Sequence, residues 1–226
     1  MDRKLILDTE TTGLDFINDK IIEIGIIELI DGIRTNNYFH EYINPQKSIS
    51  YDAQKIHGLT NDFLKEKQIF SEISNGFLDF ICNDTLIIHN SNFDINFINK
   101  ELEECGKIKI KNPIIDTISL AKKEFPGQTV NLDSLCRKLN IINTRDEFHG
   151  ALLDADLLCK VFLRLTAGKQ ENLNLNNFKT NEKKDIRVKE KLDLNNRKEL
   201  IDLTEIEFEN HVKMVKKMKD PIWDKI

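Results

Sequence analysis

The feature that most constrains this sequence is a pair of acidic residues that directly follows a short apolar run. Leu5–Leu7 indicates a buried strand, and Asp8 and Glu10 come next. Because side chains alternate along a strand, both carboxylates project to the same side. Adjacent carboxylates repel unless a cation lies between them or one is protonated, and hard oxygen ligands suit Mg²⁺ or Mn²⁺. The alternative is a strand end with two solvated acids, and this segment alone does not decide between them.

Strand patterns come early in the chain and helix patterns come later. Strands are predicted at Leu5–Leu7, Lys20–Ile30, Tyr38–Ile43 and Thr85–Ile88, the first three forming an antiparallel meander. Helices are predicted at Glu72–Cys82, Phe93–Cys105, Asn131–Leu139 and Gly150–Thr166, with a further one opened by Ile114–Thr117 and closed at Pro126-Gly127. Ile56–Thr60 is predicted to be a loop. This order favours an α/β domain in which helices pack on a mixed central sheet.

The composition changes at Gly168 and divides the chain into three predicted parts. We expect a domain at 1–167, a flexible polar linker at 168–198 and a C-terminal helical segment at 199–226. Residues 168–226 contain 14 Lys and Arg and 12 Asp and Glu, a net charge of +2. The whole chain carries −5, so residues 1–167 carry −7 and lack the basic footprint typical of nucleic-acid-binding domains.

The cysteines and the hydropathy pattern predict a cytoplasmic protein without a membrane segment. The four cysteines are scattered without CxxC spacing, which favours free thiols in a reducing compartment over disulfides or a zinc site. The first strand begins almost at the N-terminus, so no signal peptide is expected. No apolar run is long enough to cross a bilayer.

Three further titratable residues are candidates for the same site as Asp8 and Glu10. Asp94 lies near the start of a predicted helix, where an acid also compensates the helix dipole. His149 and Asp154 share a site only if His149 lies on the loop before the last helix and Asp154 points inward from its first turn. A surface histidine and an ordinary helix-start acid are the alternatives.

The candidate residues belong to three sequence motifs: Asp8-Thr-Glu10-Thr-Thr-Gly13, His89-Asn-Ser-Asn-Phe-Asp94 and His149-Gly-Ala-Leu-Leu-Asp154. These motifs resemble those of the DEDDh family of 3′→5′ exonucleases, with particular likeness to the proofreading epsilon subunits of bacterial DNA polymerase III. Ile56-His57-Gly58 and Phe125-Pro126-Gly127 also match. The resemblance covers residues 1 to about 167 and implies a ribonuclease H-like exonuclease fold.

The resemblance implies a role for each residue of the site. Asp8, Glu10 and Asp154 would ligate one divalent ion, Asp8 would bridge to a second and Asp94 would hold that second ion. His149 would remove a proton from the attacking water, which suits a group that ordinarily titrates near pH 6.5. The substrate contacts implied at the terminal nucleotide are Asp8, Glu10, Thr11, Asp52, His57 and Asp154. Asp52 stands where the family usually has glutamate, and His57 alternatively caps loop backbone.

The tail contains two candidate partner-binding segments. Gln170, Leu173 and Leu175 resemble the peptides that bind the bacterial sliding clamp, the alternative being a polar linker with incidental leucines. Further on, Thr204 to Lys219 predicts a helix with a Thr204–Glu207 capping box. Its apolar stripe is Phe208, Val212, Val215 and Met218, and Trp223 follows Pro221. By resemblance the partner of this helix and of Trp223 is the polymerase alpha subunit; the alternative is folding back on the catalytic domain.

The resulting hypothesis is a proofreading exonuclease that removes mispaired 3′-terminal nucleotides by two-metal-ion hydrolysis. Its implied partners are a DNA 3′ end, the alpha subunit and the clamp, and the resemblance also allows a theta-like small subunit. One alternative is a free-standing exonuclease that trims RNA or single-stranded DNA. Another is a catalytically silent adaptor between clamp and polymerase, which the presence of all five catalytic side chains disfavours.

Overall fold

The computed structural model describes residues 2–143, 148–167 and 205–215. The chain divides into two compact units, Met1–Leu173 and Asn174–Ile226. The first contains a five-stranded sheet with helices on both faces, and the described part of the second is one helix. Among the described residues, no helix combines the length and the apolarity required to cross a bilayer.

The five strands form a mixed sheet in the order β3-β2-β1-β4-β5. Their bounds are β1 (Arg3–Thr11), β2 (Ile21–Ile30), β3 (Ile33–Tyr42), β4 (Thr85–Ile88) and β5 (Ile114–Asp116). Strands β1, β2 and β3 pair antiparallel, while β4 pairs parallel with both β1 and β5. The predicted mixed sheet and its N-terminal meander are therefore confirmed, although β3 begins earlier than the predicted Tyr38.

Seven helices of the first unit pack around this sheet in the described part of the chain. They are α1 (Tyr51–His57), α2 (Asn61–Lys65), α3 (Phe70–Ile81), α4 (Ser91–Glu104), α5 (Thr117–Glu124), α6 (Leu132–Lys138) and α7 (Ala151–Thr166). Side-chain caps start several of them, as where Thr60 accepts from the backbone of Phe63 and Asn131 from that of Ser134. The predicted long helices are confirmed within two residues at each end.

The alternation of β1 divides the core into two layers. Leu5 and Leu7 face a cluster that includes α3 and α4, whereas Ile6 faces a cluster that includes α5, α6 and α7. All three side chains are fully buried. Each face of β1 therefore packs against its own set of helices, and this decides which helix each later residue of the strand meets.

Two predictions about local structure are wrong. Ile114–Asp116 does not open a helix but forms the edge strand β5, and the helix starts after it because the Asp116 carboxylate accepts a hydrogen bond from the backbone of Ile118 (2.8 Å). Ile56 and His57 are not loop residues but end helix α1, which Ser50 caps at its start and left-handed Gly58 (φ 71°) caps at its end.

The described part of the tail is helix α8 (Glu205–Val215), within the predicted Thr204–Lys219 segment. Phe208 is 60% exposed and Val212 is half-buried. The predicted partner residues Gln170, Leu173, Leu175 and Trp223 lie outside the described residues, as does Thr204 of the predicted capping box. The division at 168–198 and 199–226 therefore stays a prediction.

Candidate active site

The end of strand β1 delivers its two acids to the face of the sheet covered by α7. Asp8 and Glu10 alternate with Leu7 and Thr9, so they continue the Ile6 side of the strand, where α7 packs. Asp8 lies opposite Gly25 of β2. A β-carbon built on Gly25 would lie 2.3 Å from the backbone nitrogen of Leu152, so the first turn of α7 rests directly on this glycine.

Glu10, His149 and Asp154 form a compact group in which one ligand atom of each lies within 4.8 Å of the others. His149 precedes α7 and Asp154 is in its first turn, as the motif spacing requires if the two share a site. Nδ1 of His149 lies 3.1 Å from Oδ2 of Asp154, which is 5% exposed. The predicted convergence of strand β1 and helix α7 is present, while the ligand and base roles remain to be tested.

Asp94 reaches the end of β1 from the opposite layer. Strand β1 pairs with β4 only at Lys4–Ile6 but continues to Thr11, and α4 begins beside this extension. The Thr9 hydroxyl donates to Oδ1 of Asp94 at 2.7 Å. Asp8 and Asp94 are not members of the Glu10–His149–Asp154 group. The four predicted carboxylates therefore come from both layers of the core: Asp8 and Glu10 face α7, Asp154 belongs to α7, and Asp94 of α4 is held by Thr9.

Burial raises the pKa of Asp94 to about 7, against the opposing hydrogen bonds from Thr9. The neighbouring Asp116 carboxylate raises this pKa further. Asp116 also accepts hydrogen bonds from the backbone and hydroxyl of Ser91, the first residue of α4. Thr9 and Asp116 were not predicted as site residues, and the Asp116-Thr117 pattern indicates only the start of a helix.

A cavity of about 360 Å³ opens beside Glu10 and is lined by four of the six predicted substrate residues, while Asp8 and Asp154 are not among its lining residues. Its lining includes Glu10, Thr11, Asp52, Ile56, His57 and Phe93. Asp52 is exposed in the first turn of α1, and His57 is 4% exposed at the end of the same helix. The structure thus brings Thr11, Asp52 and His57 to one cavity next to the Glu10–His149–Asp154 group.

His57 has a defined hydrogen-bonding state in this cavity. Its Nδ1 accepts from the backbone N–H of Leu59 at 3.0 Å, which assigns the ring proton to Nε2. Burial lowers the pKa of His57 despite the opposing charge of Glu23, so the ring is neutral near pH 7. Nε2 is buried and has no hydrogen-bond partner among the described residues. It is therefore a buried donor whose hydrogen-bonding capacity is not used within the described residues.

The segment that carries His149 is fixed to the end of helix α1, a connection that the sequence did not predict. The backbone N–H of His149 donates to the carbonyl of Ile56 at 2.9 Å. A β-carbon built on Gly58 would lie 2.7 Å from Cγ of Phe148, so the Phe148 ring rests on this glycine. No local pattern signals such a contact between segments so distant in sequence.

Comparison with known proteins agrees with this architecture. A family model described as "Exonuclease" matches residues 5–162. A DNA polymerase III subunit epsilon of Rickettsia prowazekii is 45% identical over 180 residues, covering 77% of this chain and 79% of the relative. The corresponding subunit of Haemophilus influenzae is 34% identical over 245 residues and covers 99% and 95%.

Solved structures show the same fold at low sequence identity. The nuclease domain of 3′hExo, a DEDDh family member bound to rAMP, aligns with a TM-score of 0.65 at 17% identity, covering 74% of this chain and 92% of that one. Exonuclease X in complex with 5′ overhanging duplex DNA aligns with a TM-score of 0.59 at 23% identity, with the same coverage. From the family match, the relatives and the fold together, the chain belongs to the exonuclease family and is a 3′→5′ exonuclease related to the epsilon subunits of DNA polymerase III.

Proposed function

We propose that this chain is the proofreading subunit of a replicative DNA polymerase III and removes mispaired 3′-terminal nucleotides by two-metal-ion hydrolysis. The observation that carries the proposal is the convergence of Glu10, His149 and Asp154 beside a nucleotide-sized cavity. The epsilon relatives, which align over most of their own length, support the replicative role.

The donor set fits divalent cations. Glu10 and Asp154 offer carboxylate oxygens in one group, and Asp8 adds a third carboxylate on the same strand face. The pKa of Asp94 is about 7 because burial disfavours its anion, a cost that a bound cation would offset. Asp8, Glu10 and Asp154 would hold one ion, and Asp8 and Asp94 the second. Such ions stabilise the charge on the entering and leaving oxygens of a phosphodiester.

The contact between His149 and Asp154 prepares the histidine to act as a base. When Nδ1–H donates to the Asp154 carboxylate, Nε2 carries the lone pair and can accept a proton from water. The carboxylate also orients the ring, as a third group orients the base in other hydrolytic sites. Deprotonated water then attacks the terminal phosphodiester, with the 3′ end positioned by the adjacent cavity.

The cavity supplies both an apolar surface and directed hydrogen bonds for a terminal nucleotide. Phe93 and the half-exposed Ile56 provide apolar surface against which a base can pack. The Nε2–H of His57 would donate to an acceptor on the nucleotide, and Thr11 and Asp52 also line the cavity. Recognition of a single frayed nucleotide agrees with the −7 charge of residues 1–167, since this charge does not favour a long DNA groove.

Attachment of the chain to partner proteins would compensate for weak DNA binding by raising the local concentration of DNA ends. We assign the clamp contact to Gln170, Leu173 and Leu175, and the alpha-subunit contact to Phe208, Val212, Val215 and Trp223. Phe208 is exposed on α8, which leaves its ring accessible to a partner. A theta-like subunit is a further candidate partner, and the cytoplasm is the proposed compartment.

The test is degradation of three 5′-labelled substrates: a primer with a 3′ mismatch, the same primer fully paired, and an RNA of the same sequence. We expect release of the terminal nucleotide, faster from the mismatch, with loss of activity in EDTA. Preferential degradation of RNA would instead assign a trimming exonuclease. No degradation by a chain that still binds polymerase and clamp would assign an adaptor.

A further inference from the structure

We infer that Phe148 is a positioning residue for His149, the proposed general base. It fixes the segment Phe148–His149, here called the base segment, to the end of helix α1, and so couples His149 to the cavity proposed to hold the terminal nucleotide. The inference rests on the proposed function, because it assigns a role to Phe148 through the proposed base. It adds a residue that neither the motifs nor the family relationship indicates.

Two contacts attach the base segment to α1. The His149 N–H donates to the Ile56 carbonyl at 2.9 Å, and the Phe148 ring rests on Gly58. Ile56 and His57 are the last residues of α1 and also line the nucleotide cavity. The same turn of helix therefore contacts the proposed substrate on one side and holds the base segment on the other.

The remaining attachment of His149 is limited. Its side chain is 39% exposed, and its described side-chain contact is with Asp154. Phe148 is itself 49% exposed, so its ring is not a core residue whose loss would unfold the domain. Gly58 is required for the contact because any β-carbon there would overlap the ring. A small displacement of a catalytic group is enough to reduce turnover substantially, on the order of 10- to 100-fold.

The chain offers a matched control for the glycine. Gly58 and Gly32 both have left-handed backbone, with φ of 71° and 79°, but a β-carbon on Gly32 would meet nothing within 4 Å. Alanine at either position therefore introduces a similar backbone strain. Only Gly58→Ala also displaces the Phe148 ring. For Phe148 itself, Tyr38→Ala removes a similarly exposed ring (59%) from strand β3.

The experiment measures kcat, KM and thermal unfolding of the full chain on the mismatched primer. We expect Phe148→Ala and Gly58→Ala to lower kcat by about 10-fold or more with little change in KM. Gly32→Ala and Tyr38→Ala should retain wild-type kcat, and Phe148→Leu should restore most of it. In a Phe148→Ala background, Gly58→Ala should cause no further loss of kcat. In a His149→Gln background, Phe148→Ala should likewise cause no further loss.

Wild-type kcat in Phe148→Ala would overturn the inference while leaving the proposed function intact. Equal and independent losses from Gly58→Ala with and without Phe148 would also overturn it, since the effect would then come from His57 or from strain. If the wild-type chain itself failed to degrade DNA, the proposed function would fail, and the two failures are therefore distinguished.

Discussion

Gly25 of strand β2 lies directly under the backbone of Leu152, in the first turn of helix α7. A β-carbon at Gly25 would lie 2.3 Å from the Leu152 nitrogen and 2.4 Å from its Cα, distances that real β-carbons do not adopt. Asp8 of strand β1 is the cross-strand partner of Gly25, and Asp154 lies in the same helical turn as Leu152. The absence of a side chain at Gly25 thus determines how closely the acids of β1 and α7 approach each other.

Gly25→Ala should push the start of α7 away from the sheet and cost about 1–3 kcal/mol of unfolding free energy. Nuclease activity should fall even where the variant remains folded, because Asp154 and His149 move with the helix. Chemical denaturation and primer degradation measure the two effects. The matched control is Gly76→Ala in α3, where the nearest atom would be 3.9 Å away and alanine should be neutral or stabilising. Equal activity of both variants would contradict the role of Gly25.

Asp8→Ala and Asp154→Asn should each abolish hydrolysis and leave the fold intact, because each removes a carboxylate proposed to hold a cation. Primer degradation and thermal unfolding, measured in Mg²⁺ and in Mn²⁺, test the expectation. Asp156→Asn is the control in the same helix, since its carboxylate contacts Arg34 and Lys160 rather than the site. Near-wild-type hydrolysis by either site variant would exclude the metal assignment.

His149→Gln should lower kcat by roughly 10²- to 10⁴-fold, the usual contribution of a general base. Its effect on Mn²⁺ affinity, measured by calorimetry, should be much smaller. The opposite result, a large loss of Mn²⁺ affinity, would make His149 a ligand together with Glu10 and Asp154, which its position in their group also allows.

Glu28→Gln should make the protein less stable at pH 7 and flatten the acid side of its stability profile. Burial raises the pKa of Glu28, but hydrogen bonds from Arg3, Thr35 and Asn37 outweigh it and leave the folded-state pKa below the usual value. A carboxyl with a lowered folded pKa stabilises the protein above its unfolded pKa, and this contribution disappears as pH falls.

The expected loss at pH 7 is about 1–3 kcal/mol, measured by denaturation at several pH values. Glu103→Gln serves as the control, because Glu103 is exposed and forms only a surface pair with Lys109 among the described residues. If the unfolding free energy of Glu28→Gln decreased with falling pH as steeply as that of the wild type, this network would not determine acid stability.

Removal of residues 168–226 should leave the hydrolysis of short primers intact and abolish co-purification with the polymerase. Two point variants separate the proposed contacts: Trp223→Ala should weaken binding of the alpha subunit, and Gln170→Ala should weaken binding of the clamp. Pull-down from the reconstituted components measures both. Retained polymerase binding after truncation would place the interface on the catalytic unit instead.

The sequence predicted those parts of the site that depend on local periodicity and missed those that depend on distant contacts. The run from Leu5 to Glu10 specified both the strand and the face of its acids. Ile114–Asp116 was too short to distinguish strand from helix by periodicity, and α1 was missed because its residues are mostly exposed and lack an apolar stripe. The Phe148–Gly58 contact joins segments far apart in sequence, which no local pattern reports.

The position of Asp94 on one helical layer and of Asp154 on the other has a consequence for how the enzyme matures. A molecule in which either layer has not docked on the sheet would lack one of the carboxylates proposed to bind the metal ions. On the proposed metal assignment, we therefore expect hydrolytic activity to require the docking of both helical layers on the sheet.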